Sequence, residues 1–298
     1  MSNTELIKEL RSLTQAGMKD CKDALEETNW DLQKAVDVIK VKGLNVVSGR
    51  AGKVASEGVV ALSRFSNGAA LVEVNCQTDF VANSPDFRKF ATSVADTIIV
   101  DFVTDNPFTV DRVEDERKAL VSTTKENVVV RRWWVEEVAT PAAQVFSYIH
   151  SNQKIGVLLT LLAPSVEVAK DSAFRELGED LAMQIAAMGP LAISPDHLKT
   201  DEVDRQRSIF ETQLTELNKP QAAWPKILEG KFNKWYTEVC LLNQESVVLP
   251  KTTVAQVIKN VSTKLGGEIT VVNFIRCQVG EGIEKAKEQL ADEVAKLM

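Results

Sequence analysis

The chain has 298 residues, in which 35 Lys and Arg stand against 42 Asp and Glu, so its formal net charge is −7. This length suits two or three folding units, and the acidic balance argues against nucleic acid as a direct ligand, because it lacks the basic surface that phosphate binding needs. No apolar run reaches membrane-spanning length and residues 1–20 carry no signal or transit sequence, so we expect a modular cytoplasmic protein without membrane contact.

The first 46 residues are predicted to form a domain of three short helices. Apolar side chains recur at helical spacing in three segments, with Gly17 between the first two and Gly43 after the third. A bundle this small commonly presents a helix face to a partner protein. Residues 47–57 mix Ser, Gly and Ala with basic residues and show no period, so they are predicted to be a linker.

Two similar β-β-α units follow, which indicates an internal repeat. Six apolar positions on the helix of the first unit each have a counterpart 87 residues later: Phe87, Phe90, Ala91, Val94, Ala95 and Ile98 correspond to Phe174, Leu177, Gly178, Leu181, Ala182 and Ile185. We assign residues 58–140 to the N-subdomain of a core, and residues 141–199 with 244–279 to its C-subdomain. The predicted fold class is α+β.

The connection between the second strand and the helix of the first unit carries the strongest functional signal. Asp79 and Phe80 stand side by side in a link of about five residues, which ends where Ser84 and Pro85 begin a helix. A large ring beside a carboxylate at such an exposed boundary suits contact with another molecule. The corresponding link of the second unit has no aromatic residue, so Phe80 is surplus to the packing that both units need. Phe80 as a plug within its own loop is the alternative.

A strand-forming run between the two units contains Arg131, Arg132, Trp133 and Trp134. Alternation along a strand predicts that one Trp points inward and the other lies at a rim, with the Arg side chains packed beside them. Stacking of nucleic-acid bases on these rings is the alternative.

Residues 200–243 are predicted to form an antiparallel helical hairpin, an arm roughly 25 to 30 Å long at 1.5 Å per residue. Pro225, near the start of its second helix, is a candidate for a kink. The sequence leaves open whether the arm packs on the body or pairs with a second chain. A strand over residues 268–278 then completes the sheet, and a helical module with an apolar stripe closes the chain over residues 280–298.

The sequence has few residues in arrangements that are typical of catalytic or metal sites. The four cysteines share no ligand spacing, there are two histidines, and no phosphate-binding glycine loop or nucleophile elbow occurs. We therefore predict no catalytic residue, no cofactor and no metal site, in a protein that acts by binding. A thiol enzyme is a further functional hypothesis, in which Cys76 at the end of its strand would be the nucleophile.

Several motifs occur together in one order: Ala16-Gly17-Met18 with Asp20-Cys21-Lys22, the run from Glu73 to Ala82, Ile155-Gly156-Val157-Leu158, Leu228-Glu229-Gly230, Phe274-Ile275-Arg276, and Val279-Gly280-Glu281-Gly282. With these motifs nearly the entire chain resembles the translation elongation factor Ts family, the guanine-nucleotide exchange factors of elongation factor Tu. The resemblance implies a ubiquitin-associated-like (UBA-like) N-terminal domain, an exchange activity, and elongation factor Tu as the partner.

The resemblance also implies roles for individual residues. In such factors the loop formed here by Thr78, Asp79, Phe80 and Val81 presses its ring between helices of the partner's nucleotide-binding domain. The bound Mg²⁺ is thereby displaced and GDP is held less tightly. Met18 and Gln184 are implied as further contacts, although relatives often carry His at the position of Gln184. The resemblance leaves open whether the chain forms a homodimer, or a 2:2 complex with its partner, through the arm.

A scaffold is the alternative function. In that case the N-terminal module alone binds helical or ubiquitin-like partners. Deletion of residues 1–45 would discriminate, because a scaffold would lose all partner binding whereas an exchange factor would keep reduced activity through its core.

Overall fold

The computed structural model describes residues 2–14, 16–50, 52–217 and 219–284, with the backbone alone for residue 40 and residues 43–49. Helices and two three-stranded antiparallel sheets are combined in one chain, which confirms the predicted α+β class. The C-terminal helix predicted over 280–298 lies outside the described residues from residue 285 onward. No helix in the described ranges has the length and apolar character that crossing a membrane would require.

Three helices form the N-terminal domain: α1 (Asn3–Thr14), α2 (Met18–Glu27) and α3 (Leu32–Arg50). They close on a small apolar core made by all three helices and the connection between α1 and α2: Leu10, Ala16, Cys21, Ala24, Leu25, Ala35 and Ile39. The three-helix bundle was therefore predicted correctly. Its last helix, however, continues to Arg50, which corrects the predicted start of the linker at residue 47. Gly43 and Gly49 within α3 each lower helix propensity by about 1 kcal/mol, which a helix tolerates.

The first half of the core is a sheet covered by helices. Its elements in chain order are β1 (Glu57–Phe65), β2 (Gly68–Cys76), α4 (Asp79–Ala82), α5 (Pro85–Val103), α6 (Glu114–Thr124) and β3 (Val129–Glu137). Strand β2 lies between β1 and β3, and α5 packs on β1 and β2. The Ser84 hydroxyl caps α5 by accepting from the Phe87 amide at 3.3 Å, which confirms the predicted helix start.

The second half repeats this plan. Its elements are β4 (Ala143–Ile149), β5 (Ile155–Leu162), α7 (Val166–Ala169), α8 (Ser172–Met188), α11 (Val254–Leu265) and β6 (Thr270–Gln278). Strand β5 is central, α8 packs on β4 and β5, and α11 packs on α8. Gly178 of α8 lets the two layers approach closely, because a Cβ there would lie 2.4 Å from the ring of Phe146.

The structure confirms that the two halves are a duplication. The central strands begin at Gly68 and Ile155, 87 residues apart, and α5 and α8 begin with the same separation. The pairing of each central strand with its last neighbour also shifts register at matching points, after Glu73 in one sheet and after Thr160 in the other. A bulge at the same position in both sheets is a feature that helix periodicity alone could not reveal.

The two sheets pack face to face. Their contact is a buried apolar layer with members from both halves: Val60, Ala69, Leu71, Leu158 and Cys277. Gly156 lies in this layer, where a Cβ would come within 2.6 Å of Val60. The core therefore has helices outside and sheets inside.

The two tryptophans of β3 lie in different surroundings, as alternation predicted. Trp134 packs on the layer between the sheets, and the guanidinium of Arg132 lies 5.3 Å from its ring. Trp133 is 36% exposed and meets Phe108 edge to face at 5.0 Å. Both rings have partners within the chain, so packing accounts for them and base stacking gains no support.

The helical hairpin is confirmed as α9 (Thr200–Glu216) and α10 (Trp224–Val239). The rings of Phe210 and Phe232 meet edge to face at 5.3 Å between the two helices. Pro225 occupies the first turn of α10, where its missing N–H is tolerated, so it begins the helix and does not kink it.

A buried carboxylate joins the two sheets where β6 ends. Glu73 is fully buried and binds Arg131 at 3.1 Å and Arg132 at 2.5 Å. It also accepts a hydrogen bond from the Gly280 amide at 2.7 Å, while Arg131 donates to the Glu281 carbonyl at 2.6 Å. We call this group the Glu73 joint. It fixes the turn that follows β6 onto the first sheet.

Candidate partner-binding site

The predicted residues Thr78 to Val81 form a single helical turn that projects from the core. Thr78 is the N-cap of α4, and its hydroxyl accepts from the Val81 amide at 3.3 Å. Val81 and Ala82 face the core with 6% and 1% exposure, whereas Phe80 is 85% exposed. The turn therefore holds a large ring in solvent on a backbone that is tied down at both ends. We call residues 78–82 the Phe80 turn.

The same turn occurs in the second unit without the ring. Ser165 caps α7 by accepting from the Val168 amide at 3.3 Å, 87 residues after Thr78. Glu167, also exposed, stands where the first unit has Phe80. Because both units fold with this turn, the ring of Phe80 is not needed for the fold, and its role as a plug of its own loop is excluded by its exposure.

A carboxylate from a distant part of the sequence holds the Phe80 turn. Glu126 accepts from the backbone amides of Gln77 and Thr78 at 3.1 and 3.0 Å, and from the Thr78 hydroxyl at 2.6 Å. Glu126 was not predicted from the sequence, because two of its contacts go to backbone atoms and leave no side-chain pattern. The available signal is strand register: β2 and β3 pair antiparallel with Asn75 opposite Val129, so residues before β3 lie beside those after β2.

Cys76 lies beneath this turn and is not a nucleophile. The thiol is completely buried, and its Sγ donates to the Thr78 carbonyl at 3.1 Å. Burial, followed by the negative charge of Glu126, raises the pKa of the Cys76 thiol to about 12. Thiolate is therefore scarce at neutral pH, and the thiol-enzyme alternative loses its reactive group.

Gln184 lies inside the C-subdomain and supports a loop. It is 2% exposed; its Nε2 donates to Gln244 Oε1 at 3.2 Å and to the Glu245 carbonyl at 3.1 Å, and its Oε1 accepts from the Val247 amide at 2.8 Å. Its polar atoms are thus engaged within the chain. The loop that it holds exposes three apolar side chains by 42 to 49%: Val247, Val248 and Leu249.

Met18 is the first residue of α2 and is 57% exposed. Two residues further on, the carboxylate of Asp20 lies 3.3 Å from the ammonium of Lys125 in the core. The structure therefore presents Met18 and Phe80 on two parts of the chain that are in direct contact, whereas Gln184 belongs to the other subdomain.

The described residues hold no group of three or more His, Cys, Asp or Glu side chains that could bind a metal ion. A cavity of about 830 Å³ lies away from the Phe80 turn, against α11 and the start of β6, and its lining includes Ile258, Lys259 and Val271. The candidate site is a projection, and it has the form of a surface for another protein.

A small helical domain, a duplicated α+β core and an exposed aromatic turn define a modular protein that acts by binding a partner. The family profile described as Elongation factor TS matches residues 77–281, and that of a UBA-like domain matches residues 1–39. The chain belongs to the elongation factor Ts family. Membership implies nucleotide exchange on elongation factor Tu, and no covalent reaction of its own.

Relatives named Elongation factor Ts match along almost the whole chain. The protein from Syntrophotalea carbinolica is 36% identical over 300 residues, which cover 98% of this chain and 97% of the relative. That from Clostridium botulinum strain Eklund 17B is 38% identical over 308 residues, with 99% of each covered. That from Symbiobacterium thermophilum is 40% identical over 293 residues, covering 97% and 96%.

Proposed function

We propose that this chain binds elongation factor Tu carrying GDP and promotes release of the nucleotide, with Phe80 as the side chain that enters the partner. The observation that carries the proposal is the 85% exposure of Phe80 on a turn whose next two residues are buried. Burying such a ring in a partner contributes about 1.5 to 3 kcal/mol. That energy is available only in the complex.

The ring acts on the partner's Mg²⁺ site. A bound Mg²⁺ is often the largest local charge in such a site, so its displacement leaves the GDP phosphates poorly neutralised. Asp79, exposed beside Phe80, hydrogen-bonds to the partner and orients the ring. Linkage makes the effect reciprocal: the factor weakens GDP binding by the same ratio as GDP weakens binding of the factor. Nucleotide reloading with GTP therefore displaces the factor.

Insertion of one ring accounts for only part of the distortion of the partner's nucleotide site, and further contacts supply the rest. Met18, on the N-terminal domain, offers an exposed apolar side chain. The loop at residues 247–249 offers three more, and Gln184 contributes by holding that loop in place. This division of roles is motivated by the burial of Gln184 and the exposure of the loop.

We infer that the arm contacts a second copy, in a homodimer or in a 2:2 complex with elongation factor Tu. Ile209 on α9 and Leu217 just after it are 44% and 62% exposed. The mass from light scattering, measured alone and with elongation factor Tu, tests this inference. A single copy in both samples would refute it. We place the activity in the cytoplasm, with the partner.

Exchange is tested with elongation factor Tu loaded with a fluorescent GDP analogue. Catalytic amounts of the wild-type chain should accelerate release, and Phe80→Ala should lose most of the acceleration. Glu167→Ala, at the corresponding exposed position of the second unit, is the matched control and should behave as wild type. Release at the spontaneous rate with the wild-type chain would refute the proposed function.

The family profile matches residues 77–281, which lie outside the N-terminal module. This match therefore does not favour the scaffold alternative, in which the N-terminal module alone binds the partner. Deletion of residues 1–45 remains the discriminating experiment. We expect reduced exchange activity, whereas a scaffold would lose partner binding altogether.

A further inference from the structure

The hold of Glu126 on the Phe80 turn is specific to the first unit. In that unit the Thr78 hydroxyl donates to Glu126 and accepts from the Val81 amide, so the helix cap is itself fixed. In the second unit the equivalent Ser165 caps its turn with contacts inside the turn alone among the described residues, to the Val168 amide and the Glu167 carboxylate. A β-β-α unit thus folds without an outside carboxylate. The extra hold is present in the unit that carries the exposed ring.

The residue before Glu126 ties the N-terminal domain to the same place. Lys125 ends α6 in the left-handed region, with φ of 59°, a conformation that favours glycine and strains a lysine. Its ammonium lies 3.3 Å from the Asp20 carboxylate in the first turn of α2. Helix α3 of the same domain packs against α6. The strained lysine is therefore placed where its charge can reach the N-terminal domain.

The residue after Glu126 ties down the connection between the domains. Asn127 is 5% exposed, and its Nδ2 donates to the carbonyl of Lys53 at 2.8 Å. Its backbone amide donates to the Gln77 side chain at 2.9 Å. Three consecutive residues thus bind the N-terminal domain, the connection and the strand end that leads into the Phe80 turn.

We propose that residues 125–127, the anchor turn, hold the N-terminal domain and the Phe80 turn in one fixed relation, and that Glu126 is a positioning residue for nucleotide exchange. The proposal rests on the function proposed above. Glu126 does not need to touch the partner: it keeps the backbone of Thr78 from moving, so that Phe80 enters the partner in a single orientation. Small misplacements of a group that acts by insertion are costly in rate.

The test measures the maximal rate of fluorescent GDP release from elongation factor Tu at saturating protein, for wild type, Glu126→Ala, Phe80→Ala and the double variant. We expect Glu126→Ala to lower that rate by about tenfold. Because Glu126 acts through Phe80, the double variant should be no slower than Phe80→Ala alone, whereas independent effects would multiply. Glu116→Ala, which removes an exposed α6 carboxylate bonded to Ser93 at 3.0 Å, is the matched control.

The tie to the N-terminal domain has its own test by charge exchange. Lys125→Glu should lower the maximal release rate by about two- to fivefold, since both side chains of the pair are nearly half exposed. The double variant Lys125→Glu with Asp20→Lys restores an opposite pair and should recover the rate. Urea unfolding of each variant verifies that it is folded, and Glu126→Gln replaces Glu126→Ala if the latter is not.

The outcomes separate the two proposals. A wild-type chain that leaves the spontaneous release rate unchanged overturns the exchange function and the positioning role together. If wild type and Phe80→Ala differ as expected but Glu126→Ala keeps the wild-type rate, or its effect multiplies with that of Phe80→Ala, the positioning role alone is overturned. If the charge exchange does not restore the rate, the role of the Lys125–Asp20 pair in tying the N-terminal domain to the core is overturned.

Discussion

Replacing Glu73 by Gln removes one negative charge from the Glu73 joint while keeping the shape of the side chain. The carboxylate is fully buried and bound by two guanidinium groups, so the variant leaves Arg131 without its counterion and Arg132 with the half-exposed carboxylate of Glu281 alone. Breaking a buried ion pair from one side costs about 3 to 5 kcal/mol. Since Arg131 and Arg132 keep 25% and 29% of their side chains exposed and can recover water, we expect the lower end, about 3 kcal/mol of unfolding free energy.

The cost of Glu73→Gln should also depend on pH, in a direction that follows from the pKa of Glu73. Burial by itself raises the pKa of Glu73, but hydrogen bonds from the Gly280 amide, Arg132 and Asn75 outweigh it and hold the pKa below the ordinary 4.5. A carboxyl with a lowered folded-state pKa stabilises the fold above its unfolded pKa, and the contribution is lost as pH falls through the folded value. The difference in unfolding free energy between wild type and Glu73→Gln should be complete at neutral pH and shrink below about pH 4.5.

Urea unfolding, followed by tryptophan fluorescence and far-ultraviolet circular dichroism, measures this difference. Glu281→Gln is the matched control, because Glu281 binds the same Arg132 at 3.2 Å from a side chain that is 52% exposed. It should cost at most about 1 kcal/mol. A cost for Glu73→Gln as small as that of the control, or one that stays constant to about pH 3, would refute the account of the joint.

Two further predictions concern buried polar groups. Cys76 should resist a thiol reagent in the folded chain at pH 8 and react on unfolding, because burial raises its pKa to about 12; fast labelling of the native protein at Cys76 would contradict this. Gln184→Leu should free the amide of Val247 and the carbonyl of Glu245, lower the unfolding free energy by about 1 to 3 kcal/mol, and speed hydrogen exchange over residues 245–249. Unchanged exchange in that loop would mean that Gln184 does not hold it.

Much of the fold could be predicted, because the spacing of apolar residues along the sequence shows which face of a helix or strand is buried. The six matched helix positions revealed the duplication, and Ser84 with Pro85 located the start of α5. The end of α3 was missed because glycine and serine within residues 47–50 weaken helix propensity without forbidding a helix.

The site was predicted in part. The exposure of Phe80 followed from its place in a short link and from the absence of a ring in the second unit. The contribution of Glu126 could not be predicted in this way, since it acts on backbone amides 48 or 49 residues away. Gln184 was expected to contact the partner directly, but it is buried. The exposed apolar residues of the loop that it holds are therefore the candidate contacts. They follow no helix or strand period that the sequence could have revealed.

The rate of GDP release from elongation factor Tu at saturating protein tests the central claim most directly. Wild type, Phe80→Leu and Phe80→Ala should release nucleotide in that descending order, because the claim assigns the effect to the volume of the inserted side chain. If the full burial of the ring, about 1.5 to 3 kcal/mol, is spent on release, Phe80→Ala should be slower by about 10- to 150-fold. Equal release rates for all three chains would contradict the claim that Phe80 drives exchange.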